Sequence, residues 1–284
     1  MIGAVTADGV RLHLGRVQAQ GARRGVVLCT HAMMAHGRYF GASRRPGFAA
    51  FLAERGIEVF VLDWRGHGLS RPPDPRRDQW CFDDYVELDL PAAIAAVCRT
   101  ARIDPRELTI LGHSLGGLAT CAALGTGRIP PVRAIALAAT NVWLNGPRGP
   151  RARRALMSLY DLSSRPFGFA PIRLARMGTD DEPRDYVAQL TTWARTGRWT
   201  SRTGVDYLAS LDRIDVPAWA FVGAGDRFCR ADDAEQIRSR LAHARPLRVV
   251  GEAHGDAFDA DHFRLFTDGQ MAPLWTELIS FATS

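Results

Sequence analysis

Residues 108–118 read Leu-Thr-Ile-Leu-Gly-His-Ser-Leu-Gly-Gly-Leu, and Ser114 at their centre is the residue best set to do chemistry. It is the middle of a Gly112-x-Ser114-x-Gly116 pattern, with an apolar run before it and a helical run after it. A chain that turns at once from strand to helix strains its pivot residue and brings the flanking backbone very close. The positions two before and two after must then carry almost no side chain, which Gly112 and Gly116 satisfy, and Gly117 adds a third small residue. The pivot side chain projects clear of the sheet edge. The amide of Leu115, at the start of the helix, is aimed where an oxyanion would form. The chemistry implied is nucleophilic acyl transfer by serine. A bare Gly-x-Ser-x-Gly is common; the strand before and the helix after make this one specific. His113 points a different way across the pivot and is expected to be structural.

Composition removes several rival mechanisms. All 36 basic residues are arginine, and the 284-residue chain has no lysine. That excludes a Schiff-base lysine, a lysine-anchored pyridoxal phosphate, a Walker lysine and a Ser-Lys pair.

A strand-to-helix pivot needs alternating strands and helices around it. Short continuous apolar runs at Val26–Cys29, Glu58–Leu62, Leu108–Leu111, Ala134–Ala138, Ala218–Val222 and Leu247–Val250 suit strands buried on both faces of a parallel sheet. Helical stretches fall between them: Phe48–Arg55 after Pro46-Gly47, Phe82–Ala101, Leu115–Gly125, Asp232–Leu241 and Met271–Ala282. Asp83, Asp84 and Glu87 suit the positive end of the second, and Asp232 and Asp233 that of the fourth. Ile2–Thr6 and Val10–Gly15, joined by Ala7-Asp8-Gly9, predict an antiparallel hairpin at the sheet edge. The fold class is α/β, a mostly parallel central sheet flanked by helices. Between Thr140 and Pro217 lie about 75 residues with no convincing strand, too long for a plain connection in a compact domain. They hold helical stretches at Arg151–Leu162, Pro183–Thr196 and Val205–Leu211, and three tryptophans, Trp143, Trp193 and Trp199. The expected division is a core of residues 1–140 and 212–284 with a helical lid of residues 141–211.

The chain resembles an α/β-hydrolase along nearly its whole length. Val26-Val27-Leu28-Cys29-Thr30-His31-Ala32-Met33-Met34 resembles that family's strand and His-Gly oxyanion loop, with Ala32 where glycine is usual. The resemblance implies Met33 and Leu115 as the two oxyanion donors, with His31 fixing the loop. Asp63-Trp64-Arg65-Gly66-His67-Gly68-Leu69-Ser70 resembles the family's Asp-x-Arg-Gly-x-Gly-x-Ser segment, where Asp63 and Arg65 are expected to fix loops. The family's order of serine, acid and histidine points to Asp226, in Phe221-Val222-Gly223-Ala224-Gly225-Asp226. The other place such an acid can stand reads Ala139-Thr140-Asn141, without a carboxylate.

Two histidines compete for the base. His254 follows the last strand at a usual distance for this fold, whereas His262 needs a longer loop. Asp261-His262-Phe263-Arg264-Leu265-Phe266, followed by Pro273-Leu274-Trp275, resembles a subgroup of poorly characterised predicted hydrolases. That likeness extends to the Thr30–Met34 loop and to Ala139-Thr140-Asn141-Val142-Trp143-Leu144. His262 is therefore the expected base, with His254 as the alternative. His67 and His243 read as loop or surface residues. His36 lies five residues from His31, which is not the spacing of a helical zinc pair, and Asp256, Asp259 and Asp261 lack the pattern of a calcium loop. No cofactor or metal is expected.

The resemblance implies a serine hydrolase of a carboxylic ester or thioester. The alternatives are a hydrolase-fold ligand-binding protein, or an acyltransferase with low hydrolytic turnover. A serine nucleophile argues against haloalkane dehalogenase and epoxide hydrolase relatives, which use aspartate. The lid tryptophans, with Met33, Met34 and Tyr39, suggest an apolar pocket; Trp193 and Trp199 could equally be the lid's own small core.

The remaining features set the surroundings. The net charge is +6. The arginines are interleaved with acids, the densest cluster being Arg148, Arg151, Arg153 and Arg154, read as a solvated helix face. No nucleic-acid motif accompanies them, so nucleic acid is not an expected partner. No apolar stretch approaches the ~20 residues of a membrane span. Met1–Leu12 lacks a signal-peptide pattern. Five scattered cysteines without a CxxC pair read as small buried hydrophobes in a reducing, cytoplasmic setting.

Overall fold

The computed structural model describes residues 2–41, 47–143 and 151–284. Pro46, Leu144 and Arg148, and the side chain of Arg154, lie outside the described residues.

The strands are β1 (Ile2–Val5), β2 (Arg11–Val17), β3 (Gly25–Thr30), β4 (Ile57–Leu62), β5 (Leu108–His113), β6 (Ala134–Ala138), β7 (Phe169–Ala170), β8 (Glu182–Pro183), β9 (Ala218–Gly223) and β10 (Arg248–Val250). Eight of them form one sheet in the order β1-β2-β4-β3-β5-β6-β9-β10. From β4 to β10 every pairing is parallel, while the β1–β2 hairpin closes one edge antiparallel. Every residue of β4, β5, β6 and β9 is buried, which is why these runs carry no polar alternation. The chain leaves β3 toward β4 and later returns to β5 on the other side, so the ends of β3 and β5 form the crevice where open α/β sheets place their sites.

The helices are α1 (Phe48–Ala53), α2 (Phe82–Asp84), α3 (Leu90–Ala101), α4 (Leu115–Gly125), α5 (Arg151–Ser164), α6 (Arg184–Thr196), α7 (Tyr207–Ser210), α8 (Ala231–Arg238), α9 (Arg264–Thr267) and α10 (Ala272–Thr283). The single helix expected over Phe82–Ala101 instead widens into a π turn at Tyr85–Asp89. Pro91 supplies the cause: it has no amide for the carbonyl one turn back, and its ring crowds that carbonyl.

One further expectation is corrected. The connection between β6 and β9 contains a two-residue ladder, β7 with β8, too short to leave a period-two signal in sequence. Of the two readings of Trp193 and Trp199, the core one holds and the pocket one does not. These tryptophans are 2% and 0% exposed and pack on Phe82 of α2 and on Tyr207, so the insertion's aromatic core runs into the main core.

The arginine cluster is not wholly solvated either. Arg151 is exposed, but Arg153 pairs with Asp233 at 2.7 Å and lies over the Trp143 ring. Among the described residues no helix is long and apolar enough to cross a membrane. All five cysteines are free, four of them buried.

Candidate active site

Ser114 is the hinge between β5 and α4, with φ 53° and ψ −111°. A left-handed φ on a residue with a side chain costs of the order of 1–3 kcal/mol. Neighbouring backbone locks it in: the Ser114 amide donates to Ala138 O of β6 at 2.9 Å, and Leu118 N donates to Ser114 O at 3.1 Å. The glycines are needed for close approach. A Cβ on Gly112 would lie 2.4 Å from the Gly117 Cα, and one on Gly116 would lie 2.5 Å from Thr30 O. A Cβ on Gly117 would run into Thr140. Ser114 itself is half-buried, and the Leu115 amide is the first of α4 and has no acceptor within the helix.

Thr30 and Gly112 face each other in the β3–β5 register, so the loop after β3 begins beside the serine. His31 fixes that loop. Its Nδ1–H donates to Ala32 O at 2.8 Å, and its Nε2 accepts from Trp64 N at 3.1 Å. Burial, then the nearby His67, push its pKa down to about 3, which matches the neutral tautomer those bonds need. Ala32 is buried, with its amide donating to the Tyr39 hydroxyl at 3.0 Å. The same hydroxyl pairs with His113 Nδ1 at 2.7 Å. Tyr39 thus acts through its oxygen as a strut between the loop and the pivot, and is not merely an apolar wall. Among the described residues the Met33 amide has no acceptor.

Asp226 lies just beyond β9, and His262 follows β10 by a loop. His262 Nδ1 donates to Asp226 Oδ2 at 2.7 Å, with both residues buried. The other carboxylate oxygen accepts from the amides of Phe228 and Cys229 at 2.8 and 2.9 Å. The loop glycines bring the pair together. A Cβ on Gly223 would stand 2.0 Å from Ala260 O, and one on Gly225 would stand 2.7 Å from Asp259 O. The backbone two and three residues before His262 is thereby pressed onto the Asp226 loop.

The His262 ring lies 4.6 Å from that of His113, the residue preceding Ser114. Burial first, then His262 and His31, hold His113 well below the ordinary imidazole range, so it presents no competing charge to His262. Behind them, Phe266 packs on Phe40 and Phe48, and the Trp275 indole donates to Leu265 O at 2.8 Å. The Leu-Trp segment thus anchors the histidine segment from α10.

His254 is elsewhere. It closes an exposed 3-10 turn, Glu252–His254, capped by Gly255. Asp256 ties that turn down by pairing with Arg248 at 2.6 Å and accepting from Gly251 N.

The Asp63 segment is structural. The Asp63 carboxylate accepts from Gly37 N at 2.8 Å and Leu69 N at 3.0 Å. Burial opposes its ionisation, but His13, His31 and these amides outweigh that and pull its pKa to about 2. Arg65 is buried against Asp89 at 2.7 Å.

His67 lies in a loop, as expected, but not at the surface. It is fully buried, with Nδ1 donating to Arg65 O at 2.9 Å and Nε2 facing Glu182 Oε1 at 3.2 Å. Sequence reasoning missed Glu182, because nothing local marks it, among the three buried acids Asp180, Asp181 and Glu182, as the one whose carboxylate reaches the Met34 amide some 150 residues away.

A family model described as serine aminopeptidase, S33, matches residues 21–252. The chain belongs to this family of α/β-hydrolases. A serine hydrolase-like protein of Dictyostelium discoideum is 35% identical over 92 residues, covering 31% of this chain and 23% of that protein. A polyketide transferase of Stachybotrys chlorohalonatus is 30% identical over 178 residues, covering 62% of this chain and 56% of that protein. The matches thus span well under two thirds of these relatives. An esterase from Exiguobacterium antarcticum superposes with a TM-score of 0.68 at 17% identity, covering 99% of both chains. A monoacylglycerol lipase of Paleococcus ferrophilus gives 0.62 at 14%, covering 96% of this chain and 98% of that one. These two share the fold.

Proposed function

We propose that this chain is a serine hydrolase of carboxylic esters or thioesters, with Ser114 as nucleophile, His262 as base and Asp226 as the orienting acid. The observation that carries the reading is the 2.7 Å bond from His262 Nδ1 to Asp226 beside a serine pivot at φ 53°. With Nδ1–H committed to the carboxylate, Nε2 is the nitrogen left to take the Ser114 proton. Ser114 Oγ attacks the carbonyl carbon, and the oxyanion is met by the amides of Leu115 and Met33. Collapse expels the alcohol or thiol, which receives the proton from His262. Water then repeats the sequence and releases the acid.

The residues between β6 and β9 act as a lid, within the division of residues 141–211 from 1–140 and 212–284. Met33, Met34 and Met157 are only partly buried where they pack on Ile172 and Val187, and Phe228 next to His262 is exposed. These surfaces favour an apolar acyl group.

The acyltransferase alternative draws on the polyketide transferase relative. It differs only in the acceptor that resolves the acyl-enzyme. A fluorophosphonate probe followed by a panel of p-nitrophenyl esters and acyl thioesters tests the reading. Rapid labelling and turnover, both lost in Ser114→Ala, are expected. A folded protein that neither labels nor turns over would favour a ligand-binding role. Faster product release with added alcohols or thiols would favour transfer.

A further inference from the structure

The loop that carries Met33 is not shaped by its own residues alone. Met34 follows with φ 60°, a left-handed conformation that a β-substituted residue adopts only under constraint. The constraint comes from the insertion, on both sides of the Met34 residue. Its amide donates to Glu182 Oε1 at 2.6 Å. Its carbonyl accepts from Thr179 N at 2.8 Å and from Asp180 N at 3.4 Å. Gly178 passes so near that a Cβ there would stand 2.2 Å from Met34 O.

Glu182 is itself held. It is fully buried, and Oε1 also meets His67 Nε2 at 3.2 Å. His67 is oriented from behind by Arg65 O. Asp180, beside it, takes Gly68 N at 3.1 Å and Arg71 at 2.6 Å, tying the insertion to the loop after β4. A carboxylate that accepts a backbone amide in a dry site makes a charge-assisted bond, stronger and more directional than a neutral one.

We propose that Glu182, held from behind by His67, is a positioning residue that moulds the Met33–Met34 oxyanion loop from the insertion. It touches no reacting atom. It holds the Met34 peptide in its left-handed turn and thereby aims the Met33 amide. The insertion would then complete the oxyanion hole as well as cover it. This rests on the serine hydrolase reading above.

The test compares Glu182→Ala, Glu182→Gln and Gly178→Ala with the wild type, using p-nitrophenyl ester kinetics and the fluorophosphonate labelling rate, with circular dichroism as the folding control. Glu182→Ala removes the acceptor, and kcat should fall about 10²-fold while KM changes less than threefold, the size of losing one oxyanion donor. Glu182→Gln keeps an acceptor oxygen for the Met34 amide and should recover at least tenfold of that loss. Gly178→Ala pushes on the Met34 carbonyl from the other side and should also lower kcat selectively. It carries the test if Glu182→Ala fails to fold. Wild-type kcat in Glu182→Ala, or a loss confined to KM, overturns the positioning role while leaving the serine mechanism intact. An equal loss in the Ala and Gln variants overturns it too. A wild type that neither labels nor turns over removes both readings together.

Discussion

Asp226 and His262 are joined at 2.7 Å by loops that leave two different strands, and the glycines of the first loop let the second come so near. Gly223 and Gly225 receive the backbone of Asp259 and Ala260, so the chain delivers its next residues onto the acid. His254, eight residues earlier, lies on an exposed turn fastened by Asp256 and Arg248. Exchanging either histidine for alanine should therefore have unequal effects. His262→Ala should lower kcat/KM by at least about 10³-fold, as removal of a general base does. His254→Ala should stay within about twofold. Ester kinetics on the two variants decide between them, and the reverse ranking would remove His262 from the mechanism.

The same dependence on backbone contact explains what sequence could and could not tell. The pivot was legible because its demands are local: strand, strained residue, helix and small neighbours lie within eleven consecutive letters. Strands β3, β4, β5, β6, β9 and β10 are legible to within one or two residues at their ends, since burial in the sheet leaves unbroken apolar runs, whereas the two-residue β7 and β8 are not. His262 is preferred to His254 in sequence only through the resemblance of its Asp261–Phe266 segment; the register that lays Ala260 against Gly223 and brings His262 to Asp226 has no local pattern. His67 looked like an ordinary loop histidine because its partner, Glu182, lies 115 residues away. The Tyr39 hydroxyl was overlooked for the same reason, its His113 partner being 74 residues distant.

Gly116→Ala tests how tightly the pivot is packed. The new methyl would meet Thr30 backbone oxygen at 2.5 Å and Thr30 carbonyl carbon at 2.7 Å, and backbone cannot swing aside as a side-chain tip can. Overpacking of this kind costs about 1–3 kcal/mol. The first turn of α4 would shift with it, carrying the Leu115 amide. Urea denaturation should show the stability loss, and kcat should fall at unchanged KM. A variant with wild-type stability and rate would mean that the α4 start has slack.

The buried His67 gives a pH dependence of known sign. Burial alone would lower its pKa, but Glu182 and Asp180 of the insertion outweigh burial and raise it to about 9. His31 also lies against it, its ring centroid 5.4 Å away, and its low pKa keeps it neutral. A folded-state value above the ordinary 6.5 means that protonated His67 favours the folded protein. That stabilisation is fully present below about pH 6.5 and is lost as pH rises through about 9, in total about 3 kcal/mol for a shift of this size. His67→Gln cannot titrate. The stability difference between wild type and His67→Gln, from urea midpoints, should therefore be largest near pH 6 and shrink steadily toward pH 10. Because the same pair borders the Met34 amide, wild-type kcat should decline over the same alkaline range. A stability difference that stays flat from pH 6 to pH 10 would show that His67 is uncharged in the folded protein and pairs with Glu182 as a neutral donor only.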